Sequence, residues 1–236
     1  MKAALVVAAL MTPAAAGPCL VDGLAPQVIT PSGSVIDQYG GVVVAAVSTP
    51  MQPGADPSAQ SSWRFRVGTK RRKTKITKLA PGLALYALSA PHEHGLGVRM
   101  ALEDTKDHTA VEVELGFMAT RAMPVDPAPK VTAITHTTNG PMMRESQTVA
   151  TLSAPPPAGT VALLVYSGKG DRKLARSFVL VPDLKTTSLT IYGHHRCEAE
   201  VPGTVPTHAG ERVRLAWIDS GGHVSLLTEP ITVTKP

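Results

Sequence analysis

Apolar and polar positions alternate with period two in several short stretches of this chain. Across 63–67, Trp63, Phe65 and Val67 fall on one side and Arg64 and Arg66 on the other. Across 110–117, Val111, Val113 and Leu115 alternate with Glu112 and Glu114. Across 212–218, Val213, Leu215 and Trp217 oppose Arg212 and Arg214, which makes Trp217 a core residue. Alternation of this kind predicts β-strands with one wet face. The run 42–48 is apolar throughout and short, the pattern of a buried strand.

Further strands are predicted over 27–30, 83–88, 98–102, 131–137, 148–152, 161–166, 177–181, 188–192, 198–201, 223–227 and 231–234. Turn residues separate them, among them Pro155-Pro156-Pro157, Pro202-Gly203, Gly221-Gly222 and a hairpin turn at Gly168-Lys169-Gly170. Residues 49–62 are rich in Pro, Gly, Ser and Ala and read as a loop. No stretch carries a convincing helical period. Short strands at intervals of about 8–12 residues indicate a sandwich.

Residues 121–130 hold three prolines in RAMPVDPAPK and read as an extended linker. The predicted fold is therefore all-β, with two consecutive immunoglobulin-like sandwiches over 17–120 and 131–236. The run 211–234, ERVRLAWIDSGGHVSLLTEPITVT, resembles the final hairpin of fibronectin type III and bacterial immunoglobulin-like domains. Those close with a pattern like V-x-A-x-D-x-x-G-N-x-S, which Val213, Ala216, Asp219, Gly222 and Ser225 follow. The spacing around Ala216 is looser than the pattern, and His223 stands where Asn is usual. The resemblance covers the last quarter of the chain and implies an adhesive, spacer or binding sandwich.

The opening residues add a destination. Lys2, the apolar run 3–11, the break at Thr12-Pro13 and the small residues Ala14, Ala15 and Ala16 have the order of a cleavable signal peptide over 1–16. Nine apolar residues are too few to span a bilayer, which needs about 20. Pro18, just before Cys19, argues against lipid attachment, and no other segment has transmembrane length. An even cysteine count in an exported chain suggests one bridge, so a Cys19–Cys197 disulfide is expected, with two free or intermolecular thiols as the other reading. Closing so long a loop contributes about 4–5 kcal/mol in the chain-entropy account.

Candidate chemistry is sparse. Lys70, Arg71, Arg72, Lys73, Lys75 and Lys78 place six cations within nine residues. They form either an anion-binding loop or a solvated hairpin. His92 and His94 have the H-x-H spacing that puts two imidazoles on one side of a strand, with His108 or Glu112 as a further metal ligand. His194-His195 beside Cys197 is a weaker cluster. The only nine aromatic residues, two Trp, four Tyr and three Phe, speak against stacking platforms for sugars or single-stranded nucleic acid. No G-x-S-x-G elbow, H-E-x-x-H helix or phosphate-cradling glycine loop occurs, so no catalytic residue and no cofactor is implied. The leading expectation is an exported non-enzymatic structural, adhesive or binding protein of the cell envelope. Its partner would be another envelope protein or an anionic surface polymer, and no specific nucleic acid is indicated. A periplasmic metal- or polyanion-binding protein is the alternative, and a secreted hydrolase ranks last.

Overall fold

The computed structural model describes residues 23–37, 41–49, 63–67, 70–90, 95–104, 110–118, 127–138, 146–168, 174–194 and 207–236. Residues 1–16, Cys19, Cys197, His92, His94, His108, His195 and the predicted strand 198–201 lie outside them, as do 121–126 of the proline-rich segment.

Every regular element among the described residues is a strand. In the first half these are β1 (Gly23–Val28), β2 (Ser34–Asp37), β3 (Gly41–Thr49), β4 (Trp63–Val67), β5 (Lys70–Arg72), β6 (Thr74–Ala80), β7 (Leu83–Leu88), β8 (Gly95–Asp104) and β9 (Ala110–Met118). In the second half they are β10 (Val131–Thr138), β11 (Ser146–Leu152), β12 (Thr160–Ser167), β13 (Ser177–Leu180), β14 (Ser188–His194), β15 (Arg212–Asp219) and β16 (Ile231–Thr232). They make four sheets: I, in order β2-β9-β8-β4-β5; II, β1-β3-β7-β6; III, β13-β12-β15-β16; and IV, β10-β11-β14. No sheet combines strands from both sides of segment 121–130.

Three apolar cores lie between these sheets. Ile36, Val113 and Leu115 of sheet I meet Val42, Val44, Ala84, Tyr86 and Leu88 of sheet II. Leu163, Val165, Val213, Leu215 and Trp217 of sheet III meet Ile134, Ala150, Leu152, Leu189 and Ile191 of sheet IV. The third core joins the halves. Val43, Ala45, Ala80 and Leu83 on the other face of sheet II pack with Val161, Ala162, Leu164, Ala216 and Ile218 on the other face of sheet III. The sheets therefore stack in the order I, II, III, IV.

This stacking explains which strands lost their alternation. β9 covers one core only, so Val113 and Leu115 are buried while Glu112 and Glu114 are exposed. β3 and β12 separate two cores, and Val42–Ala45 and Val161–Tyr166 are buried without a break. Strands buried on both faces need apolar residues at both parities.

Hydrogen bonds reinforce the middle interface. The buried Thr30 hydroxyl donates to the Ser220 carbonyl at 2.8 Å and accepts from the Val43 amide at 2.8 Å. The Ala175 amide donates to the Leu79 carbonyl at 2.9 Å. Gly222, at φ +87°, lies against Leu85, and a Cβ there would approach Leu85 Cδ1 to 2.4 Å.

Two sequence expectations are corrected. β2, β5 and β6 were not foreseen, because they are short or carry exposed lysine and arginine at sheet edges. The predicted strand 223–227 is reduced to one bridge, Val224 to Ile218. There hydroxyls share the ladder with the backbone: the Trp217 amide donates to Ser225 Oγ at 2.9 Å and the Leu215 amide to Thr228 Oγ1 at 3.0 Å, while the Ser225 and Thr228 amides donate to the Trp217 and Leu215 carbonyls, each at 2.9 Å. In sheet I, β8 runs between β4 and β9. Arg66 still reaches Glu112, at 3.9 Å, across the small Ala101 that faces both in register.

Candidate functional site

The basic segment is built from two edge strands. β5 ends sheet I beside β4, and β6 ends sheet II beside β7. Lys73 alone separates them, so the chain passes from the edge of one sheet to that of its facing sheet. Ile76 of β6 packs into the core between sheets I and II, which anchors the segment. Lys70, Arg71, Arg72, Lys73, Lys75 and Lys78 are all exposed. Cations on edge strands oppose pairing with another chain and concentrate positive potential along that edge.

A second cluster, absent from the sequence expectations, sits in the second half. His136, Thr148 and Tyr192 lie opposite one another across β10, β11 and β14. His136 and Thr148 are buried. His136 Nδ1 lies 2.8 Å from Thr148 Oγ1, whose hydroxyl donates to the Thr207 carbonyl at 2.5 Å. Arg176, just before β13, donates to the Thr207 hydroxyl and to Glu211 Oε2, the latter at 2.9 Å. Glu211 Oε1 accepts from the His208 amide at 3.0 Å, closing the turn before β15. The His208 ring meets His136 edge-on, with centroids 5.5 Å apart, and Tyr192 at 6.3 Å. Burial pushes the Glu211 carboxyl upward. The hydrogen bonds from Arg176 and the His208 amide, with the charges of Arg176 and His208, outweigh it and hold the carboxyl below its ordinary value. A signal for His136 was available, since it shares parity with the inward Ile134. Nothing local joins it to His208, because β11, β12, β13 and β14 lie between them in the chain.

Asp219, part of the closing-hairpin resemblance, gathers the tip after β15. Its Oδ1 accepts from the amides of Gly221 at 2.9 Å and His223 at 2.8 Å, and its Oδ2 meets His223 Nδ1 at 3.0 Å. Desolvation would raise this carboxyl; the His223 and Gly221 hydrogen bonds and the His223 charge together lower it. All its partners are local, so it is a turn-forming residue. Among the described residues no group of three or more His, Cys, Asp or Glu is placed to hold a metal ion. No helix there is long and apolar enough to cross a membrane.

Facing, mostly antiparallel sheets over shared apolar cores make this a β-sandwich protein. No protein-family model matches the chain, and no curated protein matches it by sequence. Similar solved structures include fibronectin(III)-like modules of Clostridium thermocellum CbhA, at 10% identity and TM-score 0.27, covering 89% of this chain and 94% of that one. Titin A168169 has 11% identity and TM-score 0.24, covering 89% of this chain and 100% of that one. SGBP-B of the Bacteroides ovatus mixed-linkage glucan utilization locus, in complex with a mixed-linkage heptasaccharide, has 11% identity and TM-score 0.24, covering 87% of this chain and 46% of that one. At those scores the sandwich assignment rests on this chain's own sheets and cores.

Proposed function

We propose that this chain is an exported, non-enzymatic binding protein of the cell envelope. In this reading a signal peptide over 1–16 is removed. Two immunoglobulin-like domains, 17–120 and 131–236, form a rigid stack, tied further by a Cys19–Cys197 disulfide. The basic edge formed by β5 and β6 holds an anionic surface polymer.

One observation carries the reading: six cations are exposed along two edge strands that adjoin at Lys73. A row of like charges on a rigid scaffold favours a linear polyanion through long-range attraction, which salt weakens.

Retention on dextran sulfate tests the proposal. The mature protein is expected to bind at low ionic strength and to elute with salt. A variant with Ser at positions 70, 71, 72, 73, 75 and 78 is expected to elute much earlier. Equal retention of the two proteins would remove the basic edge as the binding face. Non-reducing peptide mapping tests the disulfide, which fails if no linked Cys19–Cys197 peptide is recovered.

A further inference from the structure

The hydrogen-bond chain through Thr148 fixes the tautomer of His136. A threonine hydroxyl has one proton, and that of Thr148 goes to the Thr207 carbonyl. His136 Nδ1, 2.8 Å from the same oxygen, must therefore donate to it. Neutral His136 then carries its lone pair on Nε2. Among the described residues no group bonds to Nε2, and it is not among the buried side-chain atoms sealed without a partner. Donation from the far nitrogen to an oxygen is the support that metal-ligating histidines usually have.

His208 supplies a second imidazole, exposed, with its centroid 5.5 Å from that of His136 and the planes at 81°. Two imidazoles bound to one ion at about 2.0–2.1 Å and a tetrahedral angle have centroids about 5 Å apart. The backbone of His208 is already held by Glu211, whose carboxylate is engaged by Arg176. That ion pair also offsets the nearby guanidinium charge. Tyr192 walls the side beyond His208.

We propose that His136 Nε2 and His208 form a two-imidazole site for a divalent transition-metal ion, with water completing the coordination shell. Imidazole donors suit Cu²⁺, Ni²⁺ and Zn²⁺, and Cu²⁺ binds most tightly of the three. With two protein ligands the ion is exchangeable, so this is not a structural metal that the fold depends on. The site is separate from the basic edge and does not depend on that reading.

Titration of the full chain with Cu²⁺, followed by NMR, tests it. Amide signals of Thr148, Tyr192, Thr207 and His208 are expected to broaden at the lowest copper additions. His208→Ala, at an exposed position, is expected to leave the spectrum folded and to weaken this binding at least 10-fold. His92→Ala/His94→Ala serves as the control for other histidines and is expected to leave it unchanged. If broadening begins elsewhere, or His208→Ala binds as tightly as the parent, the two rings make an edge-to-face contact only and the proposal fails.

Discussion

Thr30 and Ser220 are joined by a buried hydrogen bond of 2.8 Å across 190 residues of sequence. Because the same hydroxyl accepts from the Val43 amide, it serves one group in sheet II and one in the turn after β15. Thr30→Val keeps the shape and strands both partners, which costs about 1–3 kcal/mol. Thr30→Ser retains the hydroxyl and is expected to recover most of that in urea denaturation.

The core shared by sheets II and III couples the halves. Leu164 is fully buried in it, and Leu164→Ala is expected to cost about 2–5 kcal/mol. The effect reaches both halves. In two-dimensional NMR, amide signals of both halves are expected to disappear at one denaturant midpoint. Midpoints that separate in the parent protein would show the halves to be independent.

Gly222 and Gly210 separate two costs of adding a methyl group. Both have positive φ, +87° and +88°, but a Cβ at Gly210 has nothing within 4 Å, whereas at Gly222 it strikes Leu85. Gly210→Ala is expected to cost about 1–2 kcal/mol from backbone strain alone. Gly222→Ala is expected to cost more, and Leu85→Ala in the same chain to relieve part of the excess. Equal losses at the two glycines would mean that the turn does not press on sheet II.

Acid is expected to destabilise the fold through two carboxyls of the second half. The Asp219 and Glu211 carboxyls are both held below their ordinary values. A lowered carboxyl stabilises the fold above its unfolded pKa, about 3.9 for Asp and 4.3 for Glu, and that stability is lost as pH falls through the folded value. Asp219→Asn and Glu211→Gln are each expected to flatten the fall in stability below about pH 4.5. A pH-stability curve in which the variants parallel the parent would exclude these groups as its cause.

Much of this arrangement was legible in the chain, and the rest was hidden for definite reasons. Val113 and Leu115 announced a one-sided strand by alternating with Glu112 and Glu114. The unbroken run from Val42 announced a buried strand, and 161–166 was read only as a strand; an apolar run does not name what covers it, so the pairing of sheets II and III was not readable. In β6, Lys75 and Lys78 masked the inward Ile76 and Leu79, because an edge strand exposes more of itself than a central one. Residues 223–227 looked like a strand because Val224 and Ser225 continue a short alternation, yet Ser225 and Thr228 satisfy the β15 amides with hydroxyls. The basic edge was visible as a charge run. The His136–His208 pair was not, since only the folding of β10 against the turn before β15 brings the two rings together.

The face that sheet II turns toward sheet III has a consequence for how the protein is made. β7, which completes the apolar surface of Val43, Ala45 and Leu83, leaves the ribosome roughly 130 residues before β15 is finished. At translation rates of about 5–20 residues per second, that surface waits on the order of ten seconds for its cover. During that interval the nascent first half presents an uncovered apolar sheet face, so the yield of native protein should depend on how promptly the second half arrives or on a chaperone that occupies the face until it does.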